Sequence, residues 1–250
     1  ISGLNDLGSG YVYEGWLIVN GNPVSTGVFD VNGSGELSKT SFAVDKDDLS
    51  SASKFVLTIE PAGETGTDKE TPSDTKYLVG DFSGTSATLS TGIIADFSAI
   101  WGKYILASPS DDDANNDYNG IWWLTQPGPA AGLSLPTLPA GWKYEGWVVT
   151  GDGPVSTGTF TDVAMADSDA AGPTGGMNGT PPFPGQDFIT PAIDLRGKTA
   201  VISIEPYPDN EAAPFTLKPL VGTIGNDTAP TAQTMNSNIT QSFPTGSVWR

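Results

Sequence analysis

Residues 11–29, YVYEGWLIVNGNPVSTGVF, return as residues 142–160, WKYEGWVVTGDGPVSTGTF, with ten of the nineteen positions identical. The order continues on both sides. Leu4, Leu7 and Gly10 correspond to Leu135, Leu138 and Gly141, Leu57-Thr58-Ile59-Glu60-Pro61 to Ile202-Ser203-Ile204-Glu205-Pro206, and Leu78-Val79-Gly80 to Leu220-Val221-Gly222. Matches that keep their order along a chain are the mark of an internal repeat. The sequence therefore reads as a first repeat over 1–124, a Pro/Gly linker over 125–133, TQPGPAAGL, and a second repeat over 134–250.

Within each repeat the leading segment is aromatic and β-branched, and it stops at a turn, Asn20-Gly21-Asn22-Pro23 or Gly151-Asp152-Gly153-Pro154. Residues 24–29 and 155–160 then return as hairpin partners. Residues 55–59, 85–90, 104–107 and 200–204 read as further strands. Short strands separated by turn signals predict an all-β fold of two tandem antiparallel β-sandwich domains from an internal duplication. The second repeat carries an insertion over 161–191, rich in Gly, Pro, Asp and Ala, which predicts a long surface loop.

Composition narrows the chemistry. Eleven Lys and Arg stand against 29 Asp and Glu, a formal net charge of −18. Such a surface repels phosphate backbones, so nucleic acid is not expected as a partner. The chain has neither Cys nor His. A Ser-His-Asp triad, a Cys nucleophile and a thiolate or imidazole zinc site all need residues that are missing, which leaves oxygen-ligand metals such as calcium. No apolar run approaches the roughly 20 residues that span a bilayer, so no transmembrane segment is read. The first residue is Ile1 rather than Met, which leaves room for a removed signal or lipid anchor upstream.

Tyr13-Glu14-Gly15-Trp16, followed by Gly21-x-Pro23-x-x-x-Gly27-x-Phe29 and by Thr58-Ile59-Glu60-Pro61, resembles the extracytoplasmic domain of anti-sigma-K factors, and each element has its counterpart in the second repeat. The resemblance implies a β-sandwich outside the cytoplasmic membrane. In that family sigma binding belongs to a separate cytoplasmic segment, often with a His and Cys zinc motif, joined through one transmembrane helix. This chain has no such residues, so the resemblance implies fold and periplasmic or cell-surface location and carries no sigma-binding residue.

Alternation along a strand puts Glu14 on the face of Trp16 and Glu145 on that of Trp147. A carboxylate on a buried face needs donors, so both read as acceptors from a neighbouring strand rather than as a catalytic pair. Glu60 and Glu205 read as acceptors for backbone N–H groups just beyond their strands. The segment 110–120, SDDDANNDYNG, suggests a calcium loop, but the sixth position from Asp111 is Asn116 rather than Gly and the twelfth is Trp122 rather than Glu. Asp111, Asp113, Asn115 and Asp117 are kept as candidates for a less regular calcium site, against a solvated hairpin loop; no other cofactor is indicated. Trp122 and Trp123 are adjacent, so in a strand they point to opposite faces. One of them is expected outside its own domain core, which makes the pair candidate protein-binding residues.

Three functions follow. The first is a non-enzymatic interaction module of the bacterial envelope, docking another envelope protein or serving as accessory subunit on the outer face of a membrane complex. The second is a carbohydrate-binding protein using exposed Trp. The third, an enzyme working with carboxylates alone, is permitted by the composition and located by nothing.

Overall fold

The computed structural model describes residues 1–250 apart from 112, 114, 169–180 and 209–210, and for 67 and 68 it describes the backbone only. The first half contributes β1 (Tyr11–Val19), β2 (Asn22–Phe29), β3 (Ala52–Pro61), β4 (Lys76–Asp81), β5 (Ser86–Leu89), β6 (Trp101–Leu106) and β7 (Gly120–Trp122). Three short strands, β8 (Leu124–Thr125), β9 (Ala130–Ala131) and β10 (Leu133–Ser134), lie between the halves. The second half contributes β11 (Trp142–Thr150), β12 (Gly153–Phe160), β13 (Gly185–Asp187), β14 (Thr199–Pro206), β15 (Leu220–Thr223), β16 (Gln233–Ser237) and β17 (Gly246–Trp249). Helix is confined to short pieces such as α1 (Lys46–Ser51) and α2 (Ile239–Ser242). Among the described residues the strand pairs are antiparallel, as short strands separated by turn signals predict.

The β1–β2 hairpin follows from its turn. Asn20 and Gly21 both hold positive φ, 52° and 83°, which is the geometry a two-residue turn needs to match the twist of its strands. Opposite Gly15 the register jumps, so that Gly15 faces Gly27 and Trp16 faces Ser25, leaving Thr26 as a bulge. The β11–β12 hairpin repeats this, with the jump between Glu145 and Trp147 and with Ser156 opposite Trp147. Bulges re-aim side chains, and here they set Thr26 against Gly15 and Thr157 against Gly146.

A four-stranded sheet runs β2-β1-β3-β4, and its counterpart β12-β11-β14-β15 starts a nine-stranded sheet that continues through β16, β6, β7 and β13, with β10 also on β6. The two halves therefore exchange strands. Residues 85–93, TSATLSTGI, match residues 231–239, TAQTMNSNI, so β5 and β16 are counterparts. Yet β5 pairs with β17 from the far end of the chain, while β16 pairs with β6 from the first half. The registers coincide: Leu89 faces Gly246 and Ala87 faces Val248, as Met235 faces Gly102 and Gln233 faces Tyr104.

One large apolar cluster spans both halves. Its seam is aromatic: Tyr77 packs against Tyr13 of its own half and against Trp142 and Phe215 of the other, at centroid distances of 6.2, 5.6 and 5.7 Å. The Trp142 indole N–H donates to the Lys76 carbonyl at 3.1 Å. The stretch expected as a linker is built into this body, because Leu133 is buried and β10 pairs with β6.

The insertion expected to be a surface loop is not all surface. Residues 183–187 are buried, and β13 hydrogen-bonds to β7. Phe183 is the apolar anchor, packing with Ile105, Trp122 and Leu124 in a small second core. Residues 169–180 of that insertion lie outside the described residues.

Candidate functional site

Two matching polar networks lie on the face of β1 and β11 away from the main core. In the first half the Trp16 indole donates to Thr58 Oγ1 at 2.9 Å, the Thr58 hydroxyl donates to Glu60, and Ser25 donates to Glu14. In the second the Trp147 indole donates to Ser203 Oγ at 2.8 Å, Ser203 to Glu205, and Ser156 to Glu145. Glu60 also accepts the Ser73 N–H at 2.9 Å and Glu205 the Phe215 N–H at 3.0 Å, each pinning the loop that follows its strand. The carboxylates thus act as acceptors for a neighbouring strand and loop, as their sequence positions suggest. Burial raises the Glu14 carboxyl above its ordinary value, with the Ser25 hydrogen bond opposing the shift and the nearby Glu60 charge adding to it.

Trp122 and Trp123 do point to opposite faces, but neither is exposed: they are 1% and 0% accessible. As placed, the pair presents no docking surface. The outward position is covered by the chain itself, since Trp122 packs in the small core with Phe183 and its indole N–H donates to Asp187 Oδ1 at 2.9 Å. Trp123 enters the second half, with its indole N–H on Thr157 Oγ1 at 3.1 Å and its ring edge-on to Tyr104 at 5.7 Å.

Asp187 is a residue that sequence reasoning passed over. It is fully buried, accepts the Ser110 N–H at 2.8 Å as well as the Trp122 indole, and its carboxyl is raised by burial. Those donors hold the carboxylate in place, and through it the 108–111 loop is fixed on β7 and β13. No spacing announces it, because Gln186-Asp187-Phe188 has no patterned neighbour in a Gly- and Pro-rich stretch.

The candidate calcium loop is organised by its own backbone. Asp111 accepts the Asp113 N–H at 3.0 Å and the Asn116 side-chain amide at 2.8 Å, Asp113 accepts from Asn115, and Asp117 accepts the Ser108 N–H at 3.1 Å. The bonds from Asp111 and Asp113 to the N–H two residues on are successive Asx-type turns. Hydrogen bonds from Asn115 hold the Asp113 carboxyl below its ordinary value. Asp112 lies outside the described residues, and among those described no three acidic side chains converge on one point.

A deep concavity lies in the first half, on the core face of its sheet. It encloses about 590 Å³ between β1, β2, the 37–44 loop and β17. Phe29, Phe42, Phe55, Phe82, Leu17 and Val248 supply its apolar wall, and Lys39 stands at the rim with its amine 4.6 Å from the Phe42 ring centroid. Trp249, at the mouth, is 74% exposed. A concavity lined mainly by apolar side chains with a few polar groups is suited to taking an apolar group.

Residues 1–75 match the family model for the anti-sigma-K factor rskA C-terminal domain. The matched stretch contains β1, β2 and β3, the Glu14 and Glu60 network and much of the pocket wall. Residues 1–75 are thus similar to the C-terminal domain of anti-sigma-K factors, in agreement with the motifs that suggested it. No curated protein and no solved structure matches. Among the described residues no helix is long and apolar enough to cross a membrane.

Proposed function

We propose that this chain is a non-enzymatic protein-interaction module of the bacterial envelope, positioned in the periplasm or at the cell surface, where it docks another envelope protein or the outer face of a membrane complex. The anti-sigma-K C-terminal match over residues 1–75 carries the reading, because that region also supplies most of the wall of an open apolar pocket, which Phe82 and β17 complete. The halves 1–124 and 134–250 are taken as copies of one sandwich repeat, on the strength of their shared bulges and their matching Ser25–Glu14 and Ser156–Glu145 hydrogen bonds. Formaldehyde crosslinking in intact cells that make the protein, followed by fractionation and mass spectrometry, tests this. The expected result is one recurrent crosslinked envelope protein in the membrane or periplasmic fraction. A protein found only in the cytosol, or crosslinked only at random, would overturn it.

Carbohydrate binding is the second reading, favoured by the exposed Trp101 and Trp249 indoles, 47% and 74% accessible. Glycan-array binding that is lost in Trp101→Ala or Trp249→Ala would move the assignment there.

A further inference from the structure

The second half of the molecule shows what fills the place that is open in the first. Trp123 sits against three groups: the Tyr104 ring, the Thr157 hydroxyl and the bare backbone of Gly146, where a Cβ would lie 2.6 Å from the indole nitrogen. Register assigns each a counterpart in the first half. Thr157 and Gly146 correspond to Thr26 and Gly15 through the matching hairpins, and Tyr104 corresponds to Val248 through the matching β6–β16 and β17–β5 pairs. All three counterparts line the 590 Å³ pocket. The Thr26 hydroxyl donates to the Gly15 carbonyl at 3.0 Å, which leaves its oxygen able to accept. One difference adjusts the fit: Phe55 stands where the second half has Ala200, so its ring already covers part of Gly15 and an incoming ring must sit beside it, toward Phe42.

The backbone beside the pocket is open in the same manner. In the second half the outer edge of β6 carries β10 and β7, the strand that delivers Trp123. In the first half the described residues on the outer edge of β17 are Ser2, bonded to Thr245 just before the strand, and Ile1, whose backbone lies against Gly246 and whose side chain lines the pocket, so the edge is bare from Ser247 onward. The Arg250 N–H donates inward to Thr85 of the β5 hairpin, whereas the Thr245 N–H donates outward to Ser2. Alternation along an antiparallel strand then turns the Ser247 and Trp249 N–H and carbonyl groups outward. Among the described residues no strand pairs with that edge.

Resting on the interaction-module reading above, we propose that the β17 edge and its pocket take an extended segment of a partner polypeptide, which adds as a strand outside β17, where Gly132 and β7 bond to the outer edge of β6, and inserts an aromatic side chain, an indole above all, against Val248, Thr26 and Gly15. Strand addition gives affinity through the main chain, and the pocket gives selectivity for the inserted ring. The net charge of −18 favours a segment with neutral or basic flanks.

The molecule supplies its own probe, a fluorescein-labelled peptide of residues 118–126, YNGIWWLTQ, with lysines added at both ends. Its fluorescence anisotropy is expected to rise saturably with the full chain. Trp123→Ala in the peptide should weaken binding by about tenfold or more, as loss of an anchor side chain does. Ser247→Pro in the protein should do likewise, because proline deletes an outward N–H without touching the bonds to β5. NMR shift changes in the unmodified protein, expected at Ser247, Val248, Gly15 and Thr26 rather than at Gly146 and Thr157, keep the test independent of how that variant folds. Absence of saturable binding, or binding with shift changes elsewhere, overturns the proposal. So does a pocket that takes free indole or dodecanoate but not the peptide, or a dimer that sedimentation shows to be abolished by Ser247→Pro. None of these outcomes bears on where the protein resides or what crosslinks to it in cells.

Discussion

At the scale of single residues, the buried carboxylates decide how stability follows pH. Glu14 is only 6% exposed and its carboxyl is raised by burial, so the fold binds its proton more tightly than the unfolded chain does. The contribution of this group is therefore greatest below its ordinary 4.5 and is lost as pH rises through the raised value. Urea unfolding between about pH 4 and 7 is expected to show stability falling toward neutrality, with repulsion within an acidic chain adding to the trend. Glu14→Gln isolates the residue, because the amide oxygen still accepts from Ser25 while the ionisation is gone. The variant should lose no more than about 1 kcal/mol at neutral pH and show a shallower slope; identical slopes would remove Glu14 from the account. These carboxylates were legible because each sits at a fixed offset from a Trp or a Pro in both repeats. Asp187 was not, since its partners, Ser110 and Trp122, lie far away in sequence and are united only by the packing of β13 on β7.

Among elements, β7 and the residue after it show where alternation informs and where it misleads. Two adjacent indoles must face opposite ways, and they do, but the face outside the main core is covered by residues 183–187 of an insertion whose polar, glycine-rich sequence gave no sign of burial. The leading strands β1 and β11 were readable to the residue, because local turn chemistry ends them, while their partners begin two residues earlier than read, at Asn22 and Gly153. The pairing of β13 with β7 is long-range and rests on one apolar anchor, Phe183, within a segment that otherwise reads as loop. Burial of both indoles leads to a plain expectation. Trp122→Ala and Trp123→Ala should each destabilise the protein by about 3–5 kcal/mol, the usual cost of truncating a buried aromatic, as read from urea or thermal unfolding. A Trp122→Ala protein as stable as the parent would mean that the 183–187 segment does not cover β7 in solution. Asp187→Ala should cost about 1–3 kcal/mol, since it strands the buried Ser110 N–H and weakens the hold on the Trp122 indole.

For the whole molecule, the ordered sequence matches between the halves were plain while the path of the sheets was not. A repeat predicts that each half can build its own sandwich, and the strand orders β2-β1-β3-β4 and β12-β11-β14-β15 follow that plan. Which copy of a late strand completes which sheet is a different matter, because β6 and β17 are equivalent by position and either satisfies the local pattern. In this protein β17 closes the first half and β6 the second, and Tyr77, Trp142 and Phe215 seal the seam between them. The exchange makes each half depend on the other. Residues 1–133 alone keep β6 without β16 and β5 without β17, and they expose Tyr77 and Trp123; residues 134–250 alone lose the indole that packs on Gly146 and Thr157. Each aromatic brought into water forfeits about 1.5–3 kcal/mol of burial, against a total stability of about 5–15 kcal/mol for an ordinary domain. The intact chain should therefore unfold in one cooperative transition. Neither fragment should give a cooperative transition by itself, whereas an equimolar mixture refolded from urea should recover one, with the near-ultraviolet dichroism of packed indoles. Two fragments that each unfold cooperatively without the other would show that the strands return to their own halves when the chain is cut, and that the exchange is a property of the joined chain rather than a requirement of each sandwich.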